Sequence, residues 1–72
     1  MPFAVVFVKG PEDRLVYIND GDEPEGRTNR PYAVEVGINT FELKASAQGP
    51  AVVRRVNVVT QDPPQEVDLT PP

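Results

Sequence analysis

The sequence predicts an all-β fold: a single domain over residues 1–72, built as a small six-stranded, mostly antiparallel β-sandwich or partly open barrel. Three observations predict it. Runs rich in Val, Ile, Phe and Tyr recur along the chain, and such side chains fit a pleated, half-buried surface. Nine prolines and five glycines punctuate these runs. The resulting spacing of roughly 8–12 residues is that of short strands in sandwiches and barrels. No window carries an amphipathic helical stripe.

The elements follow in order. Residues 3–9 (FAVVFVK) form a strand that is apolar on both faces, so its periodicity does not say what it pairs with. Gly10, Pro11, Glu12 and Asp13 break it. Residues 14–19 (RLVYIN) form the second strand, with Val16 and Ile18 on one face and Leu15 and Tyr17 on the other. Residues 20–30 (DGDEPEGRTNR) are a polar loop with a short turn of strand near Gly26 to Thr28. In residues 31–36, Tyr32, Val34 and Val36 oppose Ala33 and Glu35, and Gly37 punctuates a tight reversal. Residues 38–45 (INTFELKA) set Phe41, Leu43 and Ala45 inward and Thr40, Glu42 and Lys44 outward.

After a loop at 46–50, residues 51–60 (AVVRRVNVVT) read as the longest strand, about 33 Å if extended. Each of its faces carries an arginine. One of the two must therefore sit near a strand end, snorkel or mark a bulge. Residues 61–64 turn, and residues 65–70 close the fold with Val67 and Leu69 inward.

Composition bounds the function. A chain of 72 residues folds to roughly 4,400 Å² of surface, against about 11,500 Å² unfolded, which allows one thin core and no deep cleft. Cysteine and histidine are both absent. No disulfide can staple the domain, and the usual zinc, iron–sulfur and haem ligands are missing. Ser-His and Cys-His nucleophile pairs cannot be assembled, and the expectation is a non-enzyme. The net charge of −4 disfavours nucleic acid and anionic membrane surfaces. No run approaches the roughly 20 apolar residues of a spanning helix, so membrane insertion is not expected. If Met1 is the native start, the expectation is a cytoplasmic protein, since residues 1–8 lack the basic flank and length of a signal peptide.

Several constellations are candidate sites. Asp20, Asp22, Glu23 and Glu25 fall within six residues, and clustered carboxylates can ligate Ca²⁺. Pro24 at the third ligand position and the lack of a Glu at the twelfth break the EF-hand spacing, and Arg27 and Arg30 could neutralise the loop instead. Any Ca²⁺ bound here would be weak; otherwise no cofactor is expected. Arg54 and Arg55, with Lys9, Lys44 and Arg14, could form a basic stripe or pair with Glu42 or Glu66 across strands. Leu15 and Tyr17 share the face opposite Val16 and Ile18, and could join one face of residues 3–8 in a second apolar surface. Leu15, Tyr17, Arg54 and Arg55 are the candidate binding residues. Residues 51–60 lack proline and would suit β-augmentation if they form an edge.

From Val16 onward the chain resembles a PEGA-type domain, a small bacterial β-sandwich module. The stretch Val16-Tyr17-Ile18-Asn19-Asp20-Gly21 resembles that family's strand-then-turn segment, and Gly26-Arg27-Thr28 its G-x-T step. Residues 37–44 (GINTFELK) resemble its hairpin strand, with Asn39 where His is common. Residues 56–59 and 67–69 resemble its closing strands. The resemblance implies a non-catalytic scaffold module. The leading expectation is therefore protein–protein interaction, with a partner or with itself, through a sheet face or an edge strand. The alternatives are a Ca²⁺ or carbohydrate module using the 20–30 loop, and a structural subunit of a larger assembly.

Overall fold

The computed structural model describes residues 2–72. The described residues are all-β, with seven strands in two sheets that do not close into a barrel. The strands are β1 (Phe3–Lys9), β2 (Leu15–Ile18), β3 (Gly26–Arg27), β4 (Arg30–Glu35), β5 (Gly37–Leu43), β6 (Val52–Val58) and β7 (Gln65–Asp68). One sheet has the order β4-β1-β7 and the other β3-β2-β5-β6. The seventh strand is β3, the short turn of strand expected inside the polar loop. Its two residues pair with β2 through Leu15↔Arg27 and Val16↔Gly26.

All pairings are antiparallel except β1 with β7, where Val6 to Lys9 run alongside Gln65 to Asp68. A parallel pair needs a long crossover. Here the whole four-stranded sheet lies between the two strands in sequence and supplies it.

Alternation decides what is buried. Ala4, Val6 and Val8 of β1 and Val34 of β4 meet Val16, Phe41, Leu43, Val52 and Val58 from the other sheet. Val67 and Leu69 complete this core, and Ile18, Tyr32 and Val56 pack against it. A core drawn from the inward faces of both sheets is consistent with a β-sandwich. The accessible surface is 4632 Å², close to the value expected from length. The two-faced apolar character of β1 resolves into Ala4, Val6 and Val8 inward, with Phe3 and Val5 left exposed.

Four sequence expectations are corrected. Gly37, at φ 118°, does not close a hairpin. It carries the chain from β4 in one sheet to β5 in the other. The buried Asn39 secures that switch, since its Nδ2 donates to the Glu35 carbonyl at 2.7 Å and the Gly37 carbonyl at 3.0 Å. Ala45 is exposed because β5 ends at Leu43. β6 has seven residues, no more than β1 or β5. Leu15 and Tyr17 lie on the four-stranded sheet, whereas Phe3, Val5 and Phe7 lie on the three-stranded one, so they do not form one patch.

Candidate functional site

The outer face of the four-stranded sheet collects most of the candidate binding residues. Val16, Phe41, Leu43, Val52 and Val58 point into the core, so the intervening positions point away from it. Register aligns Tyr17 with Glu42, and Glu42 with Val53. It places Arg55 beside Thr40 and Leu15 beside Arg27. Leu15, Tyr17 and Arg55 therefore share a face. Arg54 does not: its position has the inward parity of Val52, Val56 and Val58, yet its side chain is exposed. It escapes at the sheet edge, where its Nη1 donates to the Val53 carbonyl at 3.0 Å. Of the three outcomes open for one of the two arginines, a strand-end place, snorkelling or a bulge, this is snorkelling.

β6 is an edge strand, paired only with β5. Its outward backbone groups can be read from the side chains that reach them. Gln65 Nε2 donates to the Asn57 carbonyl at 3.2 Å, and the Val59 N–H donates to Gln65 Oε1 at 3.0 Å. The Gln65 amide thus stands in for a neighbouring strand at the end of β6. The N–H and C=O groups of a strand residue point the same way and alternate along it. Arg54 already caps the Val53 carbonyl, so the free groups of the edge are the Val53 N–H and the N–H and carbonyl of Arg55. Val53 is 52% exposed and Arg55 is exposed.

The other edges are shorter or blunted. β3 has two residues and β7 four, and β4 carries Pro31.

At the start of β2 the surface sinks into an open hollow of about 440 Å³. Leu15 and Tyr17 line it with Arg14, Arg27, Lys44 and Asp13. Lys44 Nζ sits 4.4 Å from the Tyr17 ring centroid, a cation–π contact. Arg27 Nε lies 3.4 Å from Asp13 Oδ1, and Arg27 Nη1 donates to the Asp13 carbonyl at 2.9 Å.

Arg14 is the residue whose weight the sequence reading missed. It is 3% exposed, and its Nη2 donates to the carbonyls of Lys44 at 2.7 Å and Pro50 at 3.1 Å. It thereby pins the 44–50 loop. Its Nη1 is buried with no hydrogen-bond partner. A signal was present: Arg14 shares parity with Val16 and Ile18, the inward face of that strand. Thr28 completes this corner, because its Oγ1 accepts from the Arg14 N–H at 3.2 Å and donates to the Pro11 carbonyl.

The charged expectations rearrange. Arg27 pairs with Asp13 rather than with the acidic loop. Among the described residues the ion pairs are Arg27–Asp13 and Lys9–Glu66. Arg54 and Arg55 thus pair with neither Glu42 nor Glu66, and register sets them opposite Phe41 and Thr40. Lys9 lies on the other sheet, so no basic stripe runs through Lys9, Lys44, Arg14 and the arginine pair.

Asp20, Asp22, Glu23 and Glu25 are all exposed on the loop after β2. Asn19 and Asp20 take φ of 55° and 58° to turn the chain there, a conformation Asn and Asp tolerate. Among the described residues, no three carboxylates converge into a metal-ligand group. Among the described residues, no helix is long and apolar enough to cross a membrane.

Among the described residues, Tyr32 and Asp68 are perturbed, and neither lines the hollow. Burial raises the Tyr32 phenol above its ordinary value, with Arg30 opposing and Glu25 adding to the shift. Hydrogen bonds from Thr70 hold the Asp68 carboxyl below its ordinary value, helped weakly by Lys9 and Arg54.

Compared with family models, curated proteins and solved structures, the chain matches none.

Proposed function

We propose that this chain is a non-catalytic protein–protein interaction or scaffold module, and that it captures an extended acidic segment along β6 and the outer face of the four-stranded sheet. The observation that carries the reading is the β6 edge. It is seven residues long, lacks proline, and leaves the Val53 N–H and the N–H and carbonyl of Arg55 open beside two exposed arginines, Arg54 and Arg55. An open edge supplies main-chain hydrogen bonds to an added strand, and flanking side chains supply selectivity. Arg54 and Arg55 set that selectivity by charge. A second β6 would bring arginines against arginines, whereas an acidic strand would be attracted. The PEGA-type resemblance supports the same reading, since it implies a module without catalytic residues. Leu15 and Tyr17 extend the surface beyond the edge strand.

The test is capture from a lysate of the protein's own source with the tagged chain as bait. Arg55→Pro removes an outward N–H at a position where an edge strand tolerates proline. Leu15→Glu/Tyr17→Glu disrupts the face instead. A stoichiometric protein retained by the wild type and lost with Arg55→Pro supports capture at the edge. Loss only with the paired glutamates moves the surface to the sheet face. An empty bait with the wild type refutes the reading. The Ca²⁺ alternative has its own readout, a chemical-shift titration in which only the amides of residues 20–25 move.

A further inference from the structure

We infer that the hollow at the start of β2 receives the acidic loop of a second copy, so that chains associate head to tail. This does not depend on the β6 edge. It rests on two surfaces of unlike charge on one chain.

The hollow holds three cations, Arg14, Arg27 and Lys44, against one carboxylate, Asp13, which is already engaged by Arg27. In a chain of net charge −4, this is a concentrated positive spot. Arg14 is buried with no carboxylate within ion-pair distance among the described residues, and its Nη1 has no hydrogen-bond partner. The 44–50 loop covers its guanidinium, with Nη1 against Gly49, so Arg14 acts on the hollow by raising its potential, while Lys44 and Arg27 are the cations a carboxylate would touch. Lys44 has no ion pair among the described residues and is steadied over the Tyr17 ring. The complementary surface is the loop after β2, where Asp22 and Glu23 are exposed and in no ion pair among the described residues.

Geometry makes the contact intermolecular. β2 begins in the hollow and ends at the loop, and its four residues span roughly 13 Å. The two surfaces occupy opposite ends of the same strand, so one copy's loop meets another copy's hollow. Such a contact is heterologous and leaves a free loop and a free hollow at the ends of each assembly. Whole-molecule repulsion opposes it, while the contact itself acts within a Debye length. Association should therefore be concentration-dependent and weaken with added salt.

The experiment is sedimentation of the full chain from micromolar to millimolar concentration, at low and at half-molar salt. The expected result is a mass that grows with concentration and falls back with salt. Lys44→Glu should weaken association by about tenfold, as should Asp22→Asn/Glu23→Gln. Both changes are at exposed positions, and a far-UV spectrum like the wild type's confirms folding; Lys44→Gln replaces Lys44→Glu if the latter misfolds. Mixing the two variants is the decisive arm. Lys44→Glu keeps an intact loop and the loop variant keeps an intact hollow, so the mixture should form one-to-one pairs that stop at two. A wild type that stays monomeric at low salt overturns the inference. So does association insensitive to Lys44→Glu, or a mixture without pairs. Arg55→Pro should leave self-association unchanged, which separates this inference from edge capture.

Discussion

Removing the buried guanidinium tests how the hollow is built. Arg14→Ala deletes the Nη2 donor that holds the carbonyls of Lys44 and Pro50, at 2.7 and 3.1 Å. A hydrogen bond with a charged partner contributes about 1.5–3 kcal/mol net. Lys44 and Pro50 are exposed, so their released carbonyls can rehydrate, and the loss falls at the lower end, about 3 kcal/mol for the pair. A domain of this length holds about 4–11 kcal/mol in all. The variant should therefore lose a large part of its stability, and its Tm should fall by about 12–24 °C. Arg14→Met keeps an apolar stem and also removes the burial cost of the charge, so it should fall between Ala and the wild type. Urea unfolding followed by far-UV circular dichroism gives both values. A loss under about 1 kcal/mol for Arg14→Ala would refute the clamp, because losing even one charge-assisted bond should cost more than that.

Other perturbations bear on the remaining structure. Phe41→Ala empties the largest fully buried side chain and should cost about 3–5 kcal/mol in urea unfolding, enough to abolish cooperative folding at elevated temperature. Gly26→Ala places a Cβ 2.5 Å from Tyr32 Oη and should cost about 1–3 kcal/mol in the same assay by displacing the ring. Tyr32→Phe leaves the Arg27 carbonyl without its hydroxyl donor and should cost about 1 kcal/mol. Because burial raises the Tyr32 pKa in the fold, its contribution is complete below the ordinary tyrosine pKa. It is lost as pH rises through the folded value, and an alkaline absorbance titration at the tyrosine band should show one late-ionising phenol. Asp68 behaves oppositely: its folded pKa is depressed, so its contribution is present above the ordinary carboxyl pKa and disappears as pH falls through the folded value. Thr70→Ala should move the Asp68 carboxyl pKa, read by NMR, part of the way back up, since the Thr70 N–H at 2.9 Å remains.

What the sequence disclosed, and what it did not, follows from the range of the interactions. Period-two alternation is local, so the inward sets Val16 and Ile18, Phe41 and Leu43, and Val67 and Leu69 were all legible. Register and sheet membership are non-local. Alternation around Gly37 does not say that β4 and β5 part into different sheets, because that is decided at long range by β1 claiming β4; the local bond from Asn39 back to Glu35 only secures the switch. β3 was legible only as a hint, since two residues carry no period. The hollow was half legible. Leu15 and Tyr17 were placed outward by parity, but Arg14 was grouped with the surface charges although it shares the inward parity of Val16. A charged residue on an inward face is informative because burial without partners is so costly, and the partners it found are carbonyls of a loop about 30 residues away.

The distribution of charge argues that the sheets' two kinds of exposed surface have different roles. Edge strands invite indiscriminate pairing, and short length, proline and charge are the usual defences. β3, β4 and β7 use the first two. β6 has the Gln65 amide at its end and, along the rest, Arg54 and Arg55. Unlike proline, an arginine does not abolish the edge; it decides which strand may approach. The same sign recurs at the hollow, through Arg14, Arg27 and Lys44, while the surplus of acid is carried elsewhere, four carboxylates of it on the loop at the far end of β2. A uniformly acidic surface would keep copies apart and would select no partner. Five of the seven cations, Arg14, Arg27, Lys44, Arg54 and Arg55, lie on or beside the four-stranded sheet, which keeps the chain acidic as a whole and, on the reading proposed above, directs attraction to the β6 edge and the hollow. The two places differ in what they can accept: the edge needs an extended backbone, whereas the hollow needs only a protruding carboxylate. A strand-forming acidic peptide should therefore compete at β6 and be blocked by Arg55→Pro. Salt should weaken both contacts, but only the edge contact should retain a residual affinity from its main-chain hydrogen bonds.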